Sequence, residues 1–343
     1  MKNIVTIICI LATLPMYAQD AFFSQPFANP LNINPALTGK HEGNFRLIAN
    51  HRDQWPSIPK AYVTSAASID LPILKKLIKE GDVLGFGVSG ISDVTSAGAF
   101  KYTYLSASLS YHKILDENGY YSVGAGFQGT YSNTMLNRAN LRFEDELTSG
   151  GFVQNSSNEY LGSTPITGTA KYTDFNAGVL FNGTTNGANQ FQLGFALYHL
   201  NEPDMNLRSD QTIYTPWKVA KKSVIHGRAN IALGERIGMD VGFVRTAQYK
   251  SINTMFGGNI AIRAGENIDN PTNLLLGGWV RMNDAYVPNL GLEFKGIRIM
   301  ASMDINVTDV KTATAGNGGY EFSLCYMLRK PSENDFSRMN MMY

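Results

Sequence analysis

Residues 297–306 read Ile-Arg-Ile-Met-Ala-Ser-Met-Asp-Ile-Asn. Ile297, Ile299, Ala301, Met303 and Ile305 fall at every second position and oppose Arg298, Ser302, Asp304 and Asn306. Side chains of an extended chain alternate between two faces, so this stretch is a strand with one apolar and one polar face. The pattern recurs from residue 44 onward. Phe191, Leu193, Phe195 and Leu197 alternate with Gln192, Gly194 and Ala196. Leu105, Ala107 and Leu109 alternate with Ser106, Ser108 and Ser110. Tyr320, Phe322, Leu324, Tyr326 and Leu328 oppose Glu321, Ser323, Cys325 and Arg329. Segments of about ten such residues suit a transmembrane barrel strand.

A soluble β-sandwich would alternate too. Two details favour a membrane barrel. The polar faces are rich in Gly, Ser and Asn and carry charges of both signs. Aromatic residues gather at segment ends, at Phe100, Tyr102 and Tyr104, at Tyr120 and Tyr121, and at Tyr326, as interfacial girdles do. The expected fold is an all-β, antiparallel outer-membrane barrel of about fourteen strands over 44–329. The segments 251–264, 286–295 and 296–306 are among those strands. With both termini on the periplasmic side, the longest connections, 132–170 and 201–221, fall together on the outer side. Lys295-Gly296 and Gly234 to Arg236 fall on the short-turn side. Leu71, Leu74, Leu77 and Ile78 have helical spacing with Lys75, Lys76 and Lys79 opposite, so 71–80 predicts a short amphipathic helix. The inward charges expected from these registers are Arg228, Asp240, Arg263, Glu293, Arg298, Asp304, Glu321 and Arg329, and mixed signs in a confined lumen tend to pair.

Residues 1–18 have the form of a secretory signal peptide. Lys2 supplies the positive start, Ile4 to Leu14 the short apolar run, and Ala18 the small residue before a cut. Once Cys9 is removed, Cys325 is the remaining cysteine, which excludes an internal disulfide in the mature chain. A formal charge of +1 gives no electrostatic support for a nucleic-acid partner. Gly85-Phe-Gly-Val-Ser-Gly90 and Gly124-Ala-Gly-Phe-Gln-Gly129 match the dinucleotide-binding spacing, but each lies inside an alternating strand with no helix after it. Glycines in a crowded barrel interior are the simpler account. The five histidines form no ligand pair, and no nucleophile–base constellation emerges, so neither metal, cofactor nor catalytic residues are expected. Glu144-Asp145-Glu146 is expected as a solvated acidic loop.

Between the leader and the first strand lies a segment of another kind, residues 19–43. It contains Phe23-Ser24-Gln25, Asn29-Pro30-Leu31, Asn34-Pro35-Ala36 and Gly39. Each proline fixes its own φ, lacks a donor and holds the preceding Asn extended, so the segment is a stiff, turned strap. It is followed by Arg52-Asp53-Gln54-Trp55, and Pro56 and Pro59 are expected to keep the first outward connection extended. There Trp55 would anchor the interface, while Arg52 and Gln54 would offer hydrogen bonds to a neighbour. The strap either plugs the barrel floor or docks a partner. The residues expected to carry that role are Phe23, Gln25, Asn29, Pro30, Asn34, Pro35, Gly39, Arg52, Gln54 and Trp55. A tail, 330–343, continues past the last strand.

These elements, with Gly319-Tyr-Glu-Phe-Ser-Leu-Cys-Tyr326 near the carboxy terminus, resemble the PorP/SprF family of outer-membrane proteins of the Bacteroidetes type IX secretion system. His51 and Asp53 stand where the family more usually has Tyr and Asn. The resemblance implies a non-enzymatic outer-membrane barrel that works with other type IX components beside one secreted substrate. That substrate is often a large gliding adhesin, received through its carboxy-terminal type B domain for export or surface retention. Outer-membrane lipid would surround the barrel. The alternative is a passive or substrate-selective porin. A third reading is a soluble periplasmic sandwich.

Overall fold

A computed structural model of the chain describes residues 20–58, 61–75, 77–137, 140–141, 143–153, 156, 168–185, 189–205, 218–264, 272–314 and 316–328. The leader 1–18, Pro59, Arg329 and the tail 330–343 lie outside the described residues.

The strands are β1 (Arg46–Gln54), β2 (Tyr62–Ile73), β3 (Val83–Thr95), β4 (Phe100–Ile114), β5 (Tyr121–Leu136), β6 (Thr169–Thr185) and β7 (Asn189–Tyr198). They continue as β8 (Lys222–Ala232), β9 (Ile237–Gln248), β10 (Ser251–Ala264), β11 (Thr272–Arg281), β12 (Ala285–Phe294), β13 (Ile297–Asn306) and β14 (Asn317–Met327). Each strand pairs antiparallel with its neighbours in the chain. β1 closes the barrel on β14, with Arg46 opposite Met327 and Gln54 opposite Gly319. Closure gives every barrel strand a partner on each side, so no strand is left as a sheet edge, which is what a hydrocarbon environment demands.

The faces decide the environment. Leu105, Phe127, Leu193, Leu290 and Phe322 are each more than half exposed, while Ser106, Ser108, Gln128, Asn289 and Glu321 between them are buried. A soluble sandwich would bury the first set. A continuous exposed apolar belt around a closed sheet fits lipid. Arginine in place of Leu290, midway along β12, is therefore expected to cost about 2–4 kcal/mol. Urea titration of the protein refolded into liposomes reads this directly.

The connections 137–168 and 199–221 lie at one end of the barrel, together with the β1–β2 turn. The tight turns 233–236 and 295–296 lie at the other. On the first long connection Glu144–Glu146 is a 3-10 turn. Glu144 and Asp145 are exposed, but Glu146 is buried and accepts from the Phe143 amide, 3.1 Å. A two-stranded ribbon follows, Leu147–Thr148 with Gly151–Phe152.

Three sequence expectations are corrected. Residues 71–80 do not form the expected helix. Leu71, Pro72 and Ile73 finish β2, opposite Phe86, Gly85 and Leu84, and Leu74 turns with φ +52°. Pairing of β2 with β1 stops at Asp70, so Pro72 sits on an open edge where its missing N–H breaks no ladder. Phe100, Tyr102 and Tyr104 share the inward face with Ser106 and Ser108 rather than forming a girdle. Phe100 and Tyr102 pack beneath the long connection against Leu136 and Met205. Tyr120 and Tyr121 do face outward. The β1–β2 connection is also not extended. Trp55 has φ +56°, and the Ile58 amide donates to the Trp55 carbonyl at 2.8 Å, closing a tight turn.

Candidate functional site: a strap inside the barrel

Each proline of the strap begins a short 3-10 turn, at Pro26–Ala28, Pro30–Asn32 and Pro35–Leu37. Pro at the first turn position loses no hydrogen bond and comes with the right φ. Asn34 before it is extended, as a residue preceding proline must be (φ −157°, ψ 122°). Its side chain accepts from the Ala36 amide at 2.9 Å and donates to the Val179 carbonyl at 3.0 Å. It also meets His226 Nε2 at 3.1 Å. The Asn-Pro step thus makes the turn and ties it to β6 and β8.

The strap runs through the lumen, and the wall is cut to receive it. A Cβ on Gly126 would lie 2.3 Å from the Ala36 nitrogen, and one on Gly178 2.0 Å from Asn34 Oδ1. A Cβ on Gly85 would lie 2.1 Å from the Thr38 carbonyl oxygen. The two glycine-rich stretches that mimic a nucleotide motif are therefore part of this close approach. Phe27, Ile33, Ala36 and Leu37 of the strap form one buried cluster with Leu180, Val224, Val244, Met255, Trp279 and Val287 of the wall. The apolar core of this protein lies inside the barrel, between strap and wall.

Both ends of the strap are tied by buried charge. At the short-turn end Arg46 grips Asp70 bidentately, Nε to Oδ1 at 2.9 Å and Nη2 to Oδ2 at 2.8 Å. The same guanidinium donates to the Leu37 carbonyl at 3.2 Å, and the Gly39 amide donates to Asp70 at 2.7 Å. At the long-connection end Glu321 accepts from the backbone amides of Ser24 (2.5 Å) and Gln25 (3.1 Å). Ser24 Oγ donates to Asp304 at 2.8 Å, and Arg52 and Arg281 reach the same carboxylate at 2.9 and 2.8 Å. The Gln25 amide donates to Ser302 at 3.0 Å and accepts from Ser323 at 2.8 Å. Phe22 lies against both guanidiniums, 4.6 Å from Arg52 and 5.0 Å from Arg281.

Of the residues singled out from sequence, Gln25 and Arg52 meet at this one knot, where the Ser24 between Phe23 and Gln25 also lies. Asn29, Pro30, Asn34 and Pro35 are buried farther along the strap, and Gly39 ends it with φ +65°. Gln54 accepts from Arg52 at 2.8 Å. Arg52 and Gln54 thus bond to each other, and Arg52 also to Ser24 and Asp304. Trp55 packs on Tyr62 in the turn, with ring centroids 5.5 Å apart. Of the expected inward charges, Arg228 pairs with Asp240 and Arg298 with Glu293, whereas Arg263 Nε has no hydrogen-bond partner among the described residues. Arg46, Asp70 and Arg281 were missed by sequence reading, although alternation from Arg52 back to Asn50, Ile48 and Arg46 places Arg46 on the same face.

A further cluster holds the first described residue. Asp20 accepts from Lys222 Nζ at 2.5 Å and lies 3.0 Å from His199 Nε2. His199 Nδ1 lies 2.8 Å from Asp174. Burial alone would lower the His199 pKa, but Asp20 and Asp174 outweigh it and raise it to about 9 from 6.5. The stabilisation from the imidazolium is thus fully present below pH ~6.5 and is lost as pH rises through about 9. The protection of the Ala21 and Phe22 amides, once the intrinsic base-catalysed rise in exchange is divided out, should fall across that window in the intact protein, and His199→Gln should abolish this fall.

The strap carries the Phe-Ser-Gln and Asn-Pro elements, β1 and the residue after it the Arg52-x-Gln54-Trp55 element, and β14 the Gly319-Tyr-Glu321 element. In the barrel the first, third and fourth meet at Ser24, Arg52 and Glu321. A family model for the type IX secretion system membrane protein PorP/SprF matches residues 16–326. The chain belongs to the PorP/SprF family. PorP/SprF proteins are membrane proteins of type IX secretion, and the barrel is of the outer-membrane kind. A Pseudomonas aeruginosa FadL homologue is similar over 91% of this chain and 96% of its own, at 9% identity and TM-score 0.50. The toluene transporter TbuX of Ralstonia pickettii is similar over 92% and 96%, at 8% identity and TM-score 0.49. At such identities the likeness is one of fold alone. Comparison with curated proteins gives no match.

Proposed function

We propose that this PorP/SprF barrel is the outer-membrane partner of one secreted cell-surface protein, of the gliding-adhesin kind, and that it helps export that protein or hold it at the surface. The observation that carries the reading is the filled lumen: a strap tied at both ends by buried ion pairs and packed at its middle against the wall. An open, passive channel for small solutes would be blocked by such a filling. A barrel that serves as a docking body needs a rigid frame and a sealed membrane. The long connections are taken to face outward, as in outer-membrane barrels generally. Leu147, Phe152 and Val153 on the first of them are half or more exposed beyond the apolar belt, which suits contact with a protein.

The test pairs two measurements on the intact protein purified in detergent. In planar bilayers it should conduct little, and from its native membrane it should co-purify with one secreted protein. Steady conductance with no co-purifying secreted protein would instead establish a porin.

A further inference from the structure

The lipid-facing wall is not uniform at the long-connection end. On β5 the outward residues from Tyr121 to Tyr131 form the apolar band, with a tyrosine at each edge. That span is about 34 Å along the strand and, at a tilt of about 40°, about 26 Å in height, which matches the band a barrel presents to hydrocarbon. Just above Tyr131 the outward face turns polar. Asn133 stands between Thr103 of β4 and Lys171 of β6. Lys101 follows above Thr103, and Thr173 lies beside Tyr131, so that two lysines and two threonines are exposed in one patch. Across the barrel at the same end, Val280, Tyr286 and Ile305 stand side by side on β11, β12 and β13, and the outward face stays apolar. Among the described residues neither Lys101 nor Lys171 enters an ion pair. Their outward neighbours Val94, Met135 and Thr169 carry no charge.

Charge on the lipid face is costly at the bilayer midplane and tolerated at its interface, where long stems carry the ammonium to the headgroups. The register puts the two lysine Cα atoms about 12 Å apart, two strand spacings across and one side-chain repeat along. Their flexible stems can therefore reach one headgroup. We propose that this patch binds the phosphorylated headgroup of an outer-leaflet glycolipid. The phosphates take the Lys101 and Lys171 ammoniums, and the Thr103 and Thr173 hydroxyls donate to phosphate or sugar oxygens. An acidic protein segment would also answer the charge. The patch, however, lies on the strand wall at the rim of the apolar band, where lipid is the immediate neighbour, and not on the long connections. The proposal rests on those connections facing outward and not on partner docking, so either can fail while the other stands.

The probe is a bis-phosphorylated lipid A, with its dephosphorylated form as control, added to the full mature protein in detergent and counted as bound lipid by native mass spectrometry. The phosphorylated form should bind in preference. Lys101→Gln with Lys171→Gln should weaken its binding about tenfold or more, and the corresponding Arg pair should preserve it. Lys250→Gln, an exposed lysine at the same end on the β9–β10 turn, should leave binding unchanged. Thr103→Val with Thr173→Val should weaken it severalfold, which keeps the test decisive if the Gln pair fails to fold. Equal binding of the two lipids, full binding by the folded Gln pair, or an equal loss in Lys250→Gln would overturn the proposal. So would a Gln pair that keeps the lipid but no longer co-purifies with a secreted protein, which would make the patch a protein contact.

Discussion

Deletion of residues 22–39 is expected to leave the barrel inserted and to raise its conductance by an order of magnitude or more. Barrel closure does not use the strap, since every strand pairs with its neighbours and β1 with β14. The strap supplies instead the inner side of the apolar core. Phe23, Phe27, Leu31, Ile33 and Leu37 are all buried there, and each contributes about 1.5–3 kcal/mol on burial. Their removal lowers stability and leaves a water-filled passage lined by Glu321, Asp304, Arg52 and Arg281. Those charges regain hydration in an open lumen, so the barrel survives. Planar-bilayer recording checks the conductance, and heat-dependent mobility in detergent gels checks the barrel. An unchanged conductance would mean that the lumen is shut by the wall itself.

Asp304→Ala should produce the largest effect of any single substitution on the strap. Arg52 and Arg281 both end on this carboxylate, and Ser24 Oγ donates to it. Removing it leaves two guanidiniums buried with too little negative charge, which costs about 3–5 kcal/mol. Glu321 lies 3.9 Å from Arg52, and Asp284, more exposed, still pairs with Arg281, so together they answer only part of the loss. The long-connection end of the strap should loosen while the short-turn end, held by Arg46 and Asp70, stays. Hydrogen exchange at Ser24 and Gln25 should accelerate well before exchange at Leu37 and Thr38. Adding Arg52→Leu and Arg281→Leu should recover much of the loss, because the uncompensated charge is then gone. Uniform acceleration along the strap would show that the knot does not act locally.

Much of the barrel was legible because each wall strand obeys a period of two over many residues. The segment expected at 251–264 is β10, and that at 296–306 is β13 with one residue more. Connection lengths placed the long loops on one end for the same reason: an up-and-down barrel fixes the side of every connection by its order. The misreadings came where periods compete or faces are ambiguous. Residues 71–80 have helical spacing, but long-range pairing of Leu71–Ile73 with β3 wins, and a local pattern cannot report that. Tyr102 and Tyr104 look like girdle residues by position, yet alternation through Ser106 assigns them inward. The strap's stiffness was legible in its prolines. Its path was not, since nothing local in Asn34-Pro35 names Val179 or His226 as partners. The luminal glycines were the available signal: Gly85, Gly126 and Gly178 are small where something else must pass.

The central claim is that this barrel works as a docking partner with its lumen filled. A photo-crosslinking residue at Phe152, on the exposed ribbon of the first long connection, tests it most directly in living cells that secrete through the type IX system. The account predicts capture of one secreted protein, through its carboxy-terminal domain, with capture lost when that domain is removed. Crosslinks to lipid alone, or capture unchanged without the domain, would contradict it.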